Sequence, residues 1–502
     1  MDWTGNWPLL DEMMQNDDAY VRESEKICGI VLIGQEIEFN ENRVCTMYRT
    51  EEDAAAQAEY FREKFERDPA FLKRSAKWYR LKVNRDLRAL RKIFYIKNLG
   101  SLSNGKLSKL FVKARGHFAY NAMVDIYDWF MERVFTPVLA EYLQKRLAEL
   151  GKDGQVSEYA NTLIMPHQVS VIFRERTELF GIVNYIRGKK GLEALIKAKT
   201  PLTGVFAKDL ELKRRVEKYF KKYIWMPCLV NNPPSTLQNV WDEIKNFVIT
   251  DAPLQIKTKR LGDNHDTKAI KRSFEYIKEL KPPKDIMYII EGLRGMAFMR
   301  TEDYVVMSES TYCVIPLYTE IAKRLGITYT DLKEFMPDEI VGYLKRGEKI
   351  SSSVLENRIP INCFISIDGQ DAFFEGEDAR KVQQTIKEQM GSVLGNATEF
   401  RGVIGNKGKA RGKARVALNY KSVSETQKDE ILVLASVSAS FVPHLGKAAG
   451  IVAEFGGLTS HPVIVAREFN LPCVVGIKGV TSAIKDGEII EIDADSGIIR
   501  KL

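Results

Sequence analysis

The chain has 502 residues, 45% hydrophobic and 28% charged, which is room for two or three domains of ordinary globular composition. A formal net charge of +8 is mild at this length, and acids interleave with bases along most of the chain, which argues against a nucleic-acid partner. No apolar run is long enough to span a bilayer, the six cysteines form no CxxC pair, and five histidines leave little for a histidine-rich metal centre. The start, Met1-Asp2-Trp3-Thr4, has no basic stretch before an apolar core, so the expectation is a reduced, cytoplasmic protein without a signal peptide.

Taken in order, residues 1–25 read as a polar leader with two tryptophans packing onto the body. Residues 27–39 read as strand, turn and strand, Cys28 to Ile33 and Glu36 to Phe39 about Gly34. A helix follows from Glu51, with Thr50 as its cap. The same order recurs at Cys363–Ile367, Asp368-Gly369, Ala372–Phe374 and a helix from Glu377, so the two hairpins are expected to share one small sheet. From 51 to about 350 the pattern is mostly helical. Residues 107–150 predict two helices or one kinked at Pro137, and 204–222 a basic amphipathic helix. Pro-rich breaks fall at Met226-Pro227, Asn232-Pro233-Pro234 and Lys281-Pro282-Pro283. No glycine-rich strand–loop–helix of the Walker type and no eightfold βα rhythm is recognisable. The expected division is a mostly helical central domain over 1–375, a helical linker and hinge over 376–397, and an α/β domain over 398–502.

The strongest chemical signal lies in that last part. A short apolar run, Gly450 to Ala453, predicts a buried strand. After it come Gly456-Gly457-Leu458-Thr459-Ser460-His461-Pro462 and a helical stripe of Val463, Ile464, Ala466 and Phe469. Pro462 suits the first helical position, so Ser460 and His461 fall at or just before a helix N-terminus. Free N–H groups and the positive end of the dipole favour an anion there, and glycines let the backbone approach it. An imidazole, partly unprotonated near neutral pH, can act there as a nucleophile.

These residues, with Ile464-Val465-Ala466-Arg467-Glu468 and Asn470-Leu471-Pro472-Cys473-Val474-Val475-Gly476, resemble the phosphohistidine swivel domain. That domain belongs to the superfamily of phosphoenolpyruvate synthase, pyruvate phosphate dikinase, rifampin phosphotransferase and phenylphosphate synthase. The likeness covers residues 398–502 and includes Gly402, Gly408, Gly412-Lys413-Ala414-Arg415-Val416, Glu430 to Leu434 and Asp486-Gly487. Pro462 departs from the small residue usual in the family. The resemblance implies that His461 is phosphorylated and passes the group on, with Gly456, Gly457, Thr459, Ser460 and Arg467 around the phosphate. The helical body looks, more loosely, like the acceptor-binding region of rifampin phosphotransferase and phenylphosphate synthase. An ATP-grasp domain and a phosphoenolpyruvate-binding barrel are not recognisable. The arrangement implied by the resemblance is that of a phenylphosphate synthase carrier subunit or of a rifampin phosphotransferase lacking its ATP-grasp domain. A separate ATP-grasp subunit would bind ATP and Mg²⁺, and a small phenol- or pyruvate-type acceptor would receive the group. No metal ligands are expected in this chain, and no membrane partner. The competing class is a non-catalytic docking or regulatory protein that uses the swivel domain to bind a kinase partner.

Other candidates have structural readings beside the functional ones. The basic run Gly405 to Arg415 reads as a phosphate loop or, more commonly, a solvated turn. Arg467 suits a phosphoryl contact or a helix-surface ion pair. His444, after Pro443, reads first as a local structural residue. His117 and His167 are each a possible base for an acceptor hydroxyl, although satisfied histidines are commoner. Tyr120, Tyr127, Trp129 and Phe130 suit an acceptor pocket or, more often, a core. Helical i,i+3 pairing is enough to explain Glu291 with Arg294.

Overall fold

The structure, a computed structural model, describes residues 3–5, 36–41, 44–49, 51–228, 233–249, 267–351, 353–367, 370–390, 397–417, 422–423, 425–435, 445, 447–454, 456–457, 460–477 and 479–502. A long-helix body carries one small sheet, and a mixed α/β domain follows.

The body is built on α1 (Glu51–Arg67), α2 (Phe71–Phe94) and α3 (Asn104–Glu149). Helix α3 is a single element of 46 residues running through Pro137. Ser103 caps its start by accepting from Lys106 N at 3.4 Å. The short helix α4 (Val156–Ile164) follows, then a lateral bundle of α5 (Val171–Arg187), α6 (Leu210–Tyr223) and α7 (Leu237–Ile249). The basic stretch 204–222 breaks at Asp209, whose carboxylate accepts from Leu212 N at 2.8 Å and starts α6. Trp241, Ile244 and Val216 are buried in this bundle. Its interior also holds Glu175, which accepts from Tyr219 Oη and lies 3.3 Å from Arg176. Helix α8 (Lys284–Leu325) runs against α2 and α3, and Gly292 makes that approach possible. A Cβ at Gly292 would lie 2.9 Å from Leu72 Cβ. Leu107, Phe111, Leu317 and Tyr318 fill one end of the α3–α8 interface, and Val134, Phe135, Ile289 and Leu293 the other.

The two segments expected to pair do so. Strands β1 (Trp3–Gly5), β2 (Glu36–Glu41), β3 (Val44–Arg49), β4 (Asn362–Ile367) and β5 (Gln370–Glu375) form an antiparallel sheet in the order β1-β3-β2-β4-β5. Ile37 is in register with Ile365 across the central pair. The first hairpin, however, joins β2 to β3, so Glu36–Glu41 is its first arm and not its second. Residues 28–33 and 368–369 lie outside the described residues. Helix α9 (Pro337–Arg346) is tied to this sheet by buried Arg358, which donates to Glu339 at 2.7 and 2.9 Å and to Glu375 at 2.6 Å. Helix α10 (Gly376–Met390) packs Ala379, Val382 and Ile386 against Ile361 and Cys363. Residues 391–396, which include most of the glycine-rich stretch read as a hinge, are outside the described residues.

The C-terminal strands are β6 (Glu399–Arg401), β7 (Val403–Asn406), β8 (Lys409–Ala417), β9 (Ile431–Leu434), β10 (Gly450–Ala453), β11 (Cys473–Val475), β12 (Ile489–Asp493) and β13 (Ile498–Lys501). They lie in the order β6-β13-β12-β8-β9-β10-β11-β7. The centre, β8 to β11, is parallel and its flanks are antiparallel. Ile431–Leu434, Gly450–Ala453 and Cys473–Val475 are buried at every residue, because both faces of a parallel sheet are covered. One face packs on α11 (His461–Phe469) through Val463, Val465 and Ala466, and the other encloses Val433, Val452, Ile490 and Ile492. The basic run Gly405–Arg415 forms β7, a turn and β8, and Lys409 pairs with Asp493 at 3.1 Å. The solvated-turn reading fits that geometry.

Candidate functional site: the turn from β10 into helix α11

Strand β10 ends at Ala453 and α11 begins at His461, so the glycine turn sits at the carboxyl end of a parallel strand, where open α/β sheets place ligands. Pro462 is the second residue of the helix and not the first, a shift of one that leaves its missing N–H harmless. Glu454 opens the turn, its carboxylate buried and receiving the Thr481 hydroxyl. Gly456 has φ +133°, and a Cβ on it would fall 2.5 Å from Ser460 Oγ, so only glycine fits. Ser460 is buried and precedes the helix in extended conformation. Its hydroxyl donates back to Gly457 O at 2.7 Å, and its N–H donates to the same oxygen at 3.1 Å. Ser460 Oγ therefore does not cap the first helical N–H groups. Pro462 has no N–H and Val463 N donates to Ser460 O at 3.0 Å, so what this helix end offers an anion is chiefly the positive end of its dipole. Asn470 ends the helix in left-handed conformation, returning its N–H to Ala466 and Arg467 carbonyls.

The structure thus brings Gly456, Gly457, Ser460 and the backbone of His461 into one turn. Thr459 and His444 lie outside the described residues. Arg467 stands on the same helix, but its bonds run elsewhere: Nε donates to Gly405 O at 3.3 Å and Nη2 to Asn161 Oδ1 at 2.5 Å. Enclosure between the domains holds its guanidinium down to about 10, the cost of desolvating the charge outweighing the Glu132 carboxylate nearby.

Two residues that sequence reasoning passed over face the turn from the body. Asn161 on α4 takes the Arg467 bond. Glu132 on α3 is buried against Gly457, where a Cβ would come 2.8 Å from its Oε1. Neither carries a motif, and no periodicity marks them, since each looks like an ordinary polar helix residue. Among the earlier candidates, His117 bonds Asp86 Oδ1 through Nδ1 at 2.9 Å, and His167 meets Ser273 Oγ at 3.2 Å. The pairing of Glu291 with Arg294 is corrected: Glu291 lies 3.0 Å from Lys73, while Arg294 donates twice to Leu163 O at 2.7 and 3.1 Å. That carbonyl belongs to the last turn of α4, where oxygens lack helical partners. The side chains of Tyr120, Tyr127, Trp129 and Phe130 are outside what the structure describes.

Comparison with known proteins gives this strand–turn–helix and its sheet a family. The family of the PEP-utilising enzyme mobile domain matches residues 426–497, so this part of the chain is such a domain. The chain is 42% identical over 104 residues to chondramide synthase cmdD of Chondromyces crocatus, covering 21% of this chain and 3% of that protein. It is 33% identical over 120 residues to a probable phosphoenolpyruvate synthase of Archaeoglobus fulgidus, 24% of this chain and 16% of the relative. With the phosphoenolpyruvate synthase of Pyrococcus furiosus it shares 27% identity over 187 residues, 36% and 22% of the two chains. The chain thus spans less than a quarter of the length of each of these relatives. The solution structure of an Enzyme I protein matches with 14% identity over 57% of this chain and 79% of that one, at a TM-score of 0.18, too loose to define a shared fold. Among the described residues no helix is long and apolar enough to cross a membrane.

Proposed function

We propose that this chain is a phosphotransferase component in which His461 carries a phosphoryl group between two sites. The carrying observation is the position of His461, first residue of a helix at the carboxyl end of a parallel strand, behind a turn that only glycine can make. Gly456, Gly457, Thr459 and Ser460 line the phosphate, and the positive end of the α11 dipole favours its charge. The donor is ATP with Mg²⁺ on an ATP-grasp partner subunit, and the acceptor is a small hydroxyl or enolate compound bound by the helical body. Residues 398–502 move as the carrier and 376–397 supply the linker and hinge.

A travelling carrier follows from the chemistry, because transfer needs the reacting atoms within a few ångström at each site. In the docked arrangement Glu132 lies against Gly457. A phosphoryl dianion beside that carboxylate is repelled, so loading favours release of the domain. Release also frees Arg467 from Asn161 to reach the phosphate.

The test is phosphorus NMR on the protein with ATP, Mg²⁺ and a candidate ATP-grasp subunit. An acid-labile signal that is absent from His461→Ala supports the carrier. A complex that forms with His461 unmodified favours the docking or regulatory reading.

A further inference from the structure

A carrier needs an acceptor site, and one cleft of the body has the parts of one. We infer that the cleft between α2 and α3 binds a small hydroxy acid with an apolar body, that His117 takes the proton of its hydroxyl, and that Asp86 positions His117. The base assignment rests on the carrier role of His461; the binding assignment does not.

Asp86 is fully buried on α2, and its Oδ1 lies 2.9 Å from His117 Nδ1 on α3. A carboxylate oxygen accepts, so Nδ1 is the donor of this pair and Nε2, on the far side of the ring, is the nitrogen turned to an acceptor hydroxyl. This is the orientation a general base requires. His117 is 22% exposed and lines an open cleft of about 360 Å³, the size of a small-molecule site. Ala89, Ile93, Ile96 and Leu110 make its apolar wall. Arg85, Lys92 and Lys113 stand at its rim. Among the described residues neither Lys92 nor Lys113 forms an ion pair, so their charge is available to an anion. An apolar wall, a cationic rim and one oriented imidazole together select a molecule with a flat or aliphatic body, a carboxylate and a hydroxyl.

The cleft is not the docked contact. Residues 117 and 132 lie on the same helix, about 22 Å apart at 1.5 Å per residue. The carrier must therefore leave Glu132 to deliver its group, as a pivoting domain does. In the transfer, the acceptor oxygen forms a bond to phosphorus as the phosphorus–nitrogen bond to His461 breaks. The bonding pair stays on that ring nitrogen, and because the second ring nitrogen is protonated, a neutral imidazole leaves. The hydroxyl proton passes to His117 Nε2.

The test uses the full chain, with folding of each variant checked by circular dichroism. Calorimetric titration with 4-hydroxybenzoate is expected to show saturable binding, weakened at least tenfold in K92A/K113A and unchanged in H461A. Absence of binding to the wild type, or equal binding by K92A/K113A, overturns the site. His461 is then loaded with phosphoramidate, a small-molecule donor that bypasses any partner. H117Q and D86N are expected to load normally while transferring to bound 4-hydroxybenzoate, at saturating concentration, at least a hundredfold more slowly, the usual worth of a positioned base. Transfer by H117Q at the wild-type rate overturns the base. Failure of the wild type to load at all counts against the carrier reading, and the titration still decides the cleft.

Discussion

Asn161→Ala offers a direct view of how firmly the mobile domain is held. Asn161 Oδ1 accepts from Arg467 Nη2 at 2.5 Å across the two domains. A hydrogen bond to a charged group is worth about 1.5–3 kcal/mol. Arg467 keeps its bond to Gly405 O inside its own domain, so the loss falls on docking and spares the fold. The ratio of docked to released protein should drop by roughly 10- to 150-fold, one tenfold step per 1.36 kcal/mol. Electron–electron resonance between spin labels on exposed positions of the two domains, Glu141 and Lys413, reads this as a longer and broader distance distribution. Gly457→Ala attacks the same contact sterically, since its Cβ would fall 2.8 Å from Glu132 Oε1. It should release the domain too, and adding Glu132→Ala should restore docking, a coupling that independent sites lack. Wild-type distance distributions in both single variants, with folding intact, would refute the interface as the holding contact.

Three further outcomes follow from local geometry. Gly402→Ala would set a Cβ 2.6 Å from Val475 O and 2.7 Å from Ile477 Cγ1, and overpacking of this kind costs about 1–3 kcal/mol. Calorimetry should show the unfolding of the mobile domain lowered by roughly 5–15 °C, and an unchanged midpoint would contradict the packing. Arg358→Ala leaves the part-exposed Glu339 and Glu375 without their shared buried cation and should cost about 1.5–3 kcal/mol in urea unfolding. A loss below about 1 kcal/mol would make the bridge a surface feature. Burial pushes the Cys228 and Cys313 thiols up to about 12 from 9.0. The unfolded thiols ionise first, so the stability these groups contribute is whole below pH 9 and lost as pH rises from 9 to 12. Cys313→Val should flatten that alkaline decline in urea midpoints, and an equal slope in the variant would deny the assignment.

Much of the mobile domain was legible in the chain. Gly450 to Ala453 reads as a strand because an unbroken apolar run suits a sheet covered on both faces, and the strand occupies those residues. The helix after Ser460 announces itself by Pro462 and its apolar stripe, and its start differs by one residue. Both are local signals, carried by neighbours in sequence. The first hairpin was misread because Cys28–Ile33 and Val44–Arg49 are both plausible arms for Glu36–Glu41. Pairing with β3 and β4 decides between them, and strand pairing is a long-range choice.

The amino-acid sequence by itself determined the strand–turn–helix, the glycine at 456 that the turn demands, and the histidine at the head of the helix. These depend on backbone sterics and spacing, which act over a few residues. Only the tertiary structure decided that Glu132 and Asn161 meet Gly457 and Arg467, that Asp86 meets His117, and that Arg294 serves the end of α4. Polar residues on long helices have many equivalent places in a sequence pattern. The packing of one helix on another selects which few of them touch.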